Sequence, residues 1–300
     1  MIQTKRSPDK NLFNYAWSYN GSLVVAKLLP LCIMRLIARL FARIWYFIDT
    51  NTRMQVESNL MRVIGNKPKQ LHKASKELFI NYGTYLADWA KLSSLGTSKA
   101  VSLFGKIEGE DIFKRMHARG NGIIILAAHL GHWELGGLVF TNMGIPFNII
   151  TAKDRVEAIA KVRTKVRSLH NMRTITIEND SFFFIDIINA LKRNELVAML
   201  VDRYEKENGI LVDFFGEKTY FPQGPVLLAR ATGASVHPAF TVLDSNKKYR
   251  TVLGPPISME WTEDRDKDMR VNVAKIAHAF EQYISLYPNQ WFNFSAIWDK

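Results

Sequence analysis

The chain has 300 residues, 47% of them hydrophobic, which is room for one large domain or two and ample material for a sizeable core. A single cysteine, Cys32, excludes a disulfide framework and a cysteine metal site and fits a reducing compartment. A formal charge of +12 and a pI near 9.7 call for anionic partners: nucleic acid, acidic lipid headgroups, phosphorylated substrates or an acidic carrier protein.

The Lys and Arg residues are spread without a dense block, and no zinc-finger or RNA-recognition signature is present, so a membrane surface is considered first and nucleic acid is not expected. Residues 11–48 support that order. Tyr15, Trp17, Tyr19, Trp45, Tyr46 and Phe47 bracket an apolar run from Leu23 to Met34, and Arg35, Arg39 and Arg43 then recur every four residues. That spacing keeps three guanidiniums on one helix face, with Leu36, Ile37, Leu40, Phe41, Ile44 and Trp45 covering the rest. The run lacks the small-residue cleavage pattern of a secretory signal. A spanning helix is disfavoured, because each Arg or Lys at the bilayer centre costs roughly 2.5–3.5 kcal/mol. Two placements remain: an interfacial helix with arginines at lipid phosphates, which the aromatics favour, and an amphipathic helix packed on the body of the protein.

Helical spacing follows from Pro68 to Leu92 through Leu71, Leu78, Phe79, Tyr82, Leu86, Trp89 and Ala90. Short apolar strands are then expected near 122–128, 147–151, 174–177, 195–201, 210–214, 235–242 and 249–253. Helices are expected near 133–142, 154–170, 181–193, 224–232 and 267–286. Such alternation predicts an α/β fold with a mixed, largely parallel sheet flanked by helices. No Pro/Gly/Ser-rich linker divides it. The organisation read from the chain is an N-terminal membrane-associating helical region over 1–50 and one catalytic α/β domain over 51–300.

The most informative stretch is His129-Leu130-Gly131-His132-Trp133-Glu134, lying between the apolar run 122–128 and the helix that opens at Trp133. Five residues along a continuous helix is about 140° of rotation, which would hold His129 and Glu134 apart. With His129 in the turn before the helix, its imidazole can fold back onto the Glu134 carboxylate. A carboxylate on one ring nitrogen leaves the other free to take a proton from a substrate hydroxyl. A histidine at a strand end beside an ordinary helix glutamate is the plainer alternative. There is no G-x-S-x-G elbow and no Walker A loop, and Gly120 and Gly122 precede the strand, on the wrong side for a dinucleotide fingerprint. Without H-E-x-x-H or another ligand cluster, no metal is expected.

Taken together, four blocks resemble the lipid A biosynthesis acyltransferases and their glycolipid-acylating relatives, a branch of the glycerolipid acyltransferases with the His-x4-acid signature. They are His129–Glu134; Val201-Asp202-Arg203 with Gly209–Gly216 ending Phe214-Phe215-Gly216; Phe221–Pro225 running into Leu228–Ala234; and Tyr287-Pro288-Asn289-Gln290-Trp291-Phe292. The resemblance covers most of the chain. It implies transfer of a fatty acyl chain from an acyl carrier protein or coenzyme A thioester to a hydroxyl of a lipid A precursor or related envelope glycolipid. It also implies the cytoplasmic face of the bacterial inner membrane, peripheral or monotopic, with no cofactor. His129 is then the general base, Glu134 its orienting acid, and no covalent acyl-enzyme is needed.

At a strand end again, Asp202 would orient the acceptor or support the active-site loop, unless it sits in a plain surface turn, and Arg203 would meet a phosphate. Arg163 and Arg167 share a helix face four residues apart and would bind acceptor phosphate or the acidic carrier, unless that face is merely solvated. Gly224, between Pro222 and Pro225, shapes the turn into the next helix and completes the expected substrate-binding set. Trp291 packs the C-terminus or lines the acyl channel, and the remaining histidines outside this stretch read as structural. His132 stands where many members carry Asn, Arg203 where the lipid A enzymes usually carry Gln, and Asn289 where Glu is common. These departures leave the acceptor open: an aminolipid, a pigment or a phosphatidylinositol mannoside-like lipid is the alternative. A catalytically silent lipid- or carrier-binding relative is the reading from another class.

Overall fold

The computed structural model describes residues 21, 24–152, 156–177, 182–203 and 209–298. Tyr15, Trp17, Tyr19 and Leu23, and the first residues of the helices expected from 154 and 181, lie outside them. Among the described residues, three long helices follow a helical stretch at 24–28: α1 (Leu31–Ile48), α2 (Thr50–Ile64) and α3 (Pro68–Leu92). The short α4 (Thr97–Val101) leads into the α/β part. There β1 (Phe104–Glu108), α5 (Glu110–His117), β2 (Ile123–Ala127), α6 (Trp133–Asn142), β3 (Phe147–Ala152), α7 (Glu157–Leu169), β4 (Met172–Ile177), α8 (Phe182–Lys192) and β5 (Leu196–Leu200) follow in order. A hairpin, β6 (Gly209–Phe214) and β7 (Glu217–Pro222), precedes α9 (Gly224–Thr232), β8 (Ser235–Leu243), β9 (Tyr249–Leu253) and α10 (Arg265–Leu286).

Among the described residues, seven strands form one sheet in the order β1-β9-β8-β2-β5-β3-β4, parallel throughout except for β8 against β9. The expected mixed, largely parallel sheet is therefore present. The unbroken Ile123-Ile124-Ile125-Leu126 run suits β2 because this central strand is covered on both faces. Its side chains alternate between two cores: Ile123 and Ile125 pack towards α5, α6 and α7, and Ile124 and Leu126 towards α8, α9 and α10. A third core joins α1, α2 and α3 through Tyr46, Val56, Leu60, Leu78 and Phe79. The segment 210–214, expected as a strand of the fold, lies in β6, which pairs only with β7, outside the main sheet. Its two-residue turn is Phe215-Gly216, both at positive φ, the geometry that matches the twist of a tight hairpin.

Helix α6 is positioned by glycines. Two adjacent glycines inside a helix cost about 1 kcal/mol each relative to Ala. Here a Cβ on Gly136 would sit 2.8 Å from Thr241 Oγ1, and one on Gly137 would sit 2.5 Å from Met172 Sδ. Their absence of side chains lets α6 approach the sheet. Gly131, at φ +64°, has the same function in the preceding turn, where a Cβ would lie 2.0 Å from the Thr241 carbonyl oxygen.

Two of the three arginines of α1, Arg35 and Arg39, do not face outward. Arg35 makes a two-pronged ion pair with the buried Asp88 of α3, Nε to Oδ1 at 2.7 Å and Nη2 to Oδ2 at 2.8 Å. Arg39 donates to Thr84 Oγ1 at 3.0 Å, and Arg43 alone of the three is exposed. The helix is thus rotated relative to the interfacial placement: Leu36, Leu40, Phe41, Phe47 and Ile48 point away from the protein and are more than half exposed. The reason is energetic. Asp88 is inside, also accepts from Tyr249 Oη at 2.5 Å, and needs a cation more than the already well-filled core needs further leucines. Among the described residues no helix is long and apolar enough to cross a membrane.

Removing one partner of a buried pair strands the other charge, at roughly 3–5 kcal/mol. Arg35→Met is expected to destabilise the protein by about that amount in urea unfolding. Arg35→Lys should recover only part of it, because an ammonium cannot bridge both carboxylate oxygens.

Candidate functional site

The carboxyl ends of β2, β3 and β5 lie side by side in the sheet, and the turns after β2 and β5 carry His129 and Asp202. A C-terminal strap crosses the first of these turns. Leu130 bridges Trp291, Gly131 N–H donates to the Gln290 carbonyl at 2.9 Å, and Phe292 N–H donates to the His129 carbonyl at 2.7 Å. His129 is thereby held from both sides by backbone.

The carboxylate on the His129 ring is that of Asp202. His129 Nδ1 lies 2.7 Å from Asp202 Oδ1, and the His129 backbone N–H donates to Oδ2 at 3.0 Å. Asp202 also accepts from Trp291 Nε1 at 2.9 Å and Asn293 Nδ2 at 3.0 Å. Burial by itself would raise the Asp202 carboxyl. The adjacent His129 and Arg203, with these hydrogen bonds, reverse that and hold it well below the usual carboxylate range. An ionised carboxylate at Nδ1 places the ring proton there and leaves Nε2 as the free, basic nitrogen. Burial, with the Arg203 and Arg163 charges, lowers the His129 pKa against the opposing pull of Asp202. The ring is therefore neutral near pH 7 and keeps a 17% exposed edge, with Trp133 packed edge-on at 5.1 Å.

Glu134, expected to orient His129, pairs instead with Arg167. Nη2 to Oε1 is 2.5 Å and Nε to Oε2 is 3.0 Å, and both side chains are buried. Desolvation of Glu134 is outweighed by Arg167, which keeps the carboxyl ionised below its ordinary pKa. The physical reason for the different pairing is helical direction. Glu134 lies in the first turn of α6 and projects towards α7, where Arg167 answers it, while Asp202 reaches His129 from the adjacent parallel strand β5. Arg167 is thus a buried partner of Glu134, not a solvated cation. Arg203 turns onto the strap, donating to the Phe292 carbonyl and to Asn293 Oδ1.

A cavity of about 240 Å³ opens over His129, walled by Tyr82, Tyr85, Trp89 and Trp133 and by Arg163, Arg167 and Arg203. An apolar cavity of about 80 Å³ lies beneath α6, between it and the sheet, lined by Ile125, Ala127, Phe140, Phe147, Ile149 and Ala198 among others. The two share Trp133, Glu134, Thr151, Arg167 and Leu200. Of the expected residues, His129, Glu134, Arg163, Arg167 and Arg203 meet at the first cavity, and Asp202 stands directly behind His129. Gly224 opens α9 and lines neither cavity. Trp291 is buried in the core and is also a donor to Asp202, as is Asn293. Neither donor role was signalled by spacing; the Gln290-Trp291-Phe292 block marked the place without its purpose.

His132 caps α6, its Nδ1 accepting from Leu135 N–H at 3.1 Å. The proton is therefore on Nε2, which has no hydrogen-bond partner among the described residues. Burial pushes its pKa down to about 4.

The model of the family described as bacterial lipid A biosynthesis acyltransferase matches residues 3–300. Phosphatidylinositol mannoside acyltransferase of Mycobacterium tuberculosis (strain ATCC 25618 / H37Rv) is 24% identical over 288 residues, covering 94% of this chain and 88% of the relative. Its counterpart in Mycolicibacterium smegmatis is 21% identical over 81% of this chain and 79% of the relative. The lipid A biosynthesis palmitoleoyltransferase of Escherichia coli (strain K12) is 25% identical over 60% of each chain.

His132 generates a pH prediction. Its folded pKa is depressed, so its contribution to stability is complete above the unfolded value near 6.5 and is lost as pH falls towards 4. A 2.5-unit difference corresponds to about 3 kcal/mol. His132→Asn keeps a capping side chain that does not titrate. The wild-type protein should lose about 3 kcal/mol more than this variant in urea unfolding between pH ~6.5 and ~4.

Proposed function

Because the chain belongs to the bacterial lipid A biosynthesis acyltransferase family, we propose that it moves a fatty acyl chain from an acyl carrier protein or coenzyme A thioester to a hydroxyl of a membrane glycolipid. The observation that carries this reading is the His129–Asp202 pair, with Nε2 left to a cavity that is positively charged on one side and aromatic on the other. His129 takes the acceptor's hydroxyl proton as its oxygen attacks the thioester carbonyl. Asp202 stabilises the imidazolium that forms, and collapse of the tetrahedral intermediate breaks the C–S bond as the departing thiolate takes the proton back. Base catalysis of this kind contributes typically ~10²–10⁴-fold.

Glu134 has a different part in this scheme. By neutralising Arg167 it ties α6 to α7 and shapes the wall that the two cavities share. The arginines give the acceptor's phosphate a positive field, and the Tyr and Trp rings offer flat apolar faces to a sugar. The apolar cavity beneath α6 suits the acyl chain. Each methylene contributes only ~0.8 kcal/mol, so length selection needs a steric end, and the stacked Phe140 and Phe147, 5.1 Å apart, stand where β3 begins and α6 nears its end.

For the acceptor, an envelope glycolipid such as a lipid A precursor follows from the family. A phosphatidylinositol mannoside-like lipid is the second reading, favoured by relatives of that name matching 94% of the chain against 60% for the lipid A enzyme. The membrane surface belongs to the proposal as well. The outward apolar face of α1, continued by Val24, Val25 and Leu28, is the surface we assign to the cytoplasmic leaflet of the bacterial inner membrane.

Thioester consumption by the purified protein is expected only when a lipid acceptor is added, and mass spectrometry of lipids from cells with and without the gene should name acceptor and chain length. His129→Ala and Asp202→Ala should each lower turnover by ~10²–10⁴ while the protein stays folded; near wild-type rates in either would remove the base assignment. Leu36→Glu with Phe41→Glu should abolish co-sedimentation with phospholipid vesicles and leave turnover on a detergent-dispersed acceptor intact. Retained sedimentation would place the membrane contact elsewhere.

A further inference from the structure

Among the described residues Asp202 has four hydrogen-bond donors, and two of them belong to His129. The terminal torsion of an aspartate is broad and roughly two-fold, so nothing in Asp202 itself aims Oδ1 at the imidazole. The aim comes from the opposite oxygen. Trp291 Nε1 and Asn293 Nδ2 both donate to Oδ2, at 2.9 and 3.0 Å.

Both donors are themselves immobilised. The Trp291 indole is 1% exposed and lies in a cluster with Phe214, Phe215 and Trp298. Asn293 is buried, and its Oδ1 accepts from Arg203 Nε, which decides which end of the amide faces Asp202. The backbone of the same strap is anchored to the His129 turn through Phe292 N–H. Base, acid and clamp are therefore one hydrogen-bonded unit.

We propose that Trp291 and Asn293 are positioning residues of the acyl-transfer centre, pinning Oδ2 of Asp202 so that Oδ1 is presented to His129 Nδ1 and sharing the carboxylate's charge so that its hold on the imidazole is limited. The inference rests on the reading of His129 as general base. The second effect follows from charge. A carboxylate stripped of one neutral donor pulls harder on the Nδ1 proton, favours the imidazolium, and keeps His129 protonated to higher pH. The groups facing His129 are Asp202 and Arg203 after β5, Arg163 from α7, and the uncharged edge of Trp133, with the Glu134–Arg167 pair across the cavity. Trp291→Phe alters only a donor to Asp202 among all of these.

The experiment is an NMR titration of the full-length protein carrying ¹³C-labelled histidine, with the His129 signal identified by its loss in H129Q. Trp291→Phe keeps an aromatic ring and deletes the N–H. Trp298→Phe is the matched control, since it removes an indole from the same cluster whose N–H goes to the Phe214 carbonyl at 3.2 Å. W291F should raise the His129 midpoint by about half a unit or more, and W298F should leave it within ~0.2 unit. In the acyl-transfer assay W291F should lower kcat roughly tenfold with little change in the KM for the thioester, and shift the acid limb of the pH profile upward by the same amount.

Should W291F not fold, Asn293→Ala introduced into an R203Q background decides instead, because Asn293 also anchors Arg203; the upward shift is again expected. An unmoved midpoint in the folded variant, or an equal shift in W298F, would overturn the clamp. The titration needs no turnover. A wild-type protein inactive on every thioester and lipid would count against the proposed function alone, and the midpoint would still judge the clamp.

Discussion

A buried carboxylate must be given its hydrogen bonds by the protein, and the arrangement around Asp202 answers that requirement. Burying an ionised group costs several kcal/mol unless charge and donors replace its hydration. Asp202 receives an imidazole, a backbone amide, an indole and a side-chain amide, contributed by two segments distant in sequence. Satisfying it draws the end of β5, the turn after β2 and the C-terminal strap to one point. The strap in turn binds α2 through Asn59 and α3 through Asn81 and Glu77. The third core of helices is thereby fastened to the sheet at the site itself.

The two acids of the site divide the labour that the His-x4-Glu spacing had suggested for one. Asp202 faces His129; Glu134 faces Arg167. Both are ionised inside the protein, and each is kept so by a partner from a different element. A similar exchange governs α1. Its Arg35 and Arg39 follow the buried carboxylate of Asp88 and the Thr84 hydroxyl, so its leucines and phenylalanines are left outside. In each case a buried charge outranks an apolar contact, because an unpaired charge costs more than an exposed leucine.

Much of the fold was legible where periodicity was long or strong. Helix α3 spans Pro68–Leu92 as its spacing predicts, and α6 and α9 coincide with the expected ranges. β2 reads directly from four consecutive branched apolar residues that need cover on both faces. Elements with weak patterns escaped. β1, Phe-Gly-Lys-Ile-Glu, is a half-exposed edge strand, and α2 is rich in Thr, Asn and other polar residues. That helix depends on the Asp49 cap, which accepts from Thr52 N–H at 3.0 Å, and on packing against α3. β6 read as a strand but not as one excluded from the main sheet, and its partner β7 escaped, since strand propensity says nothing about which neighbour is available.

By itself the sequence determined the class of fold and the family and drew attention to His129, because those depend on local patterns: a strand, a turn, and a helix opening at a fixed distance. It also brought Glu134, Arg163, Arg167 and Arg203 to notice as residues worth locating. Which carboxylate meets His129, which face of α1 turns outward and what Trp291 does were decided only by the tertiary structure. Each depends on pairings between residues 53 to 89 positions apart. Hydrogen bonds and ion pairs act over about 3 Å in space and leave no periodic trace along the chain.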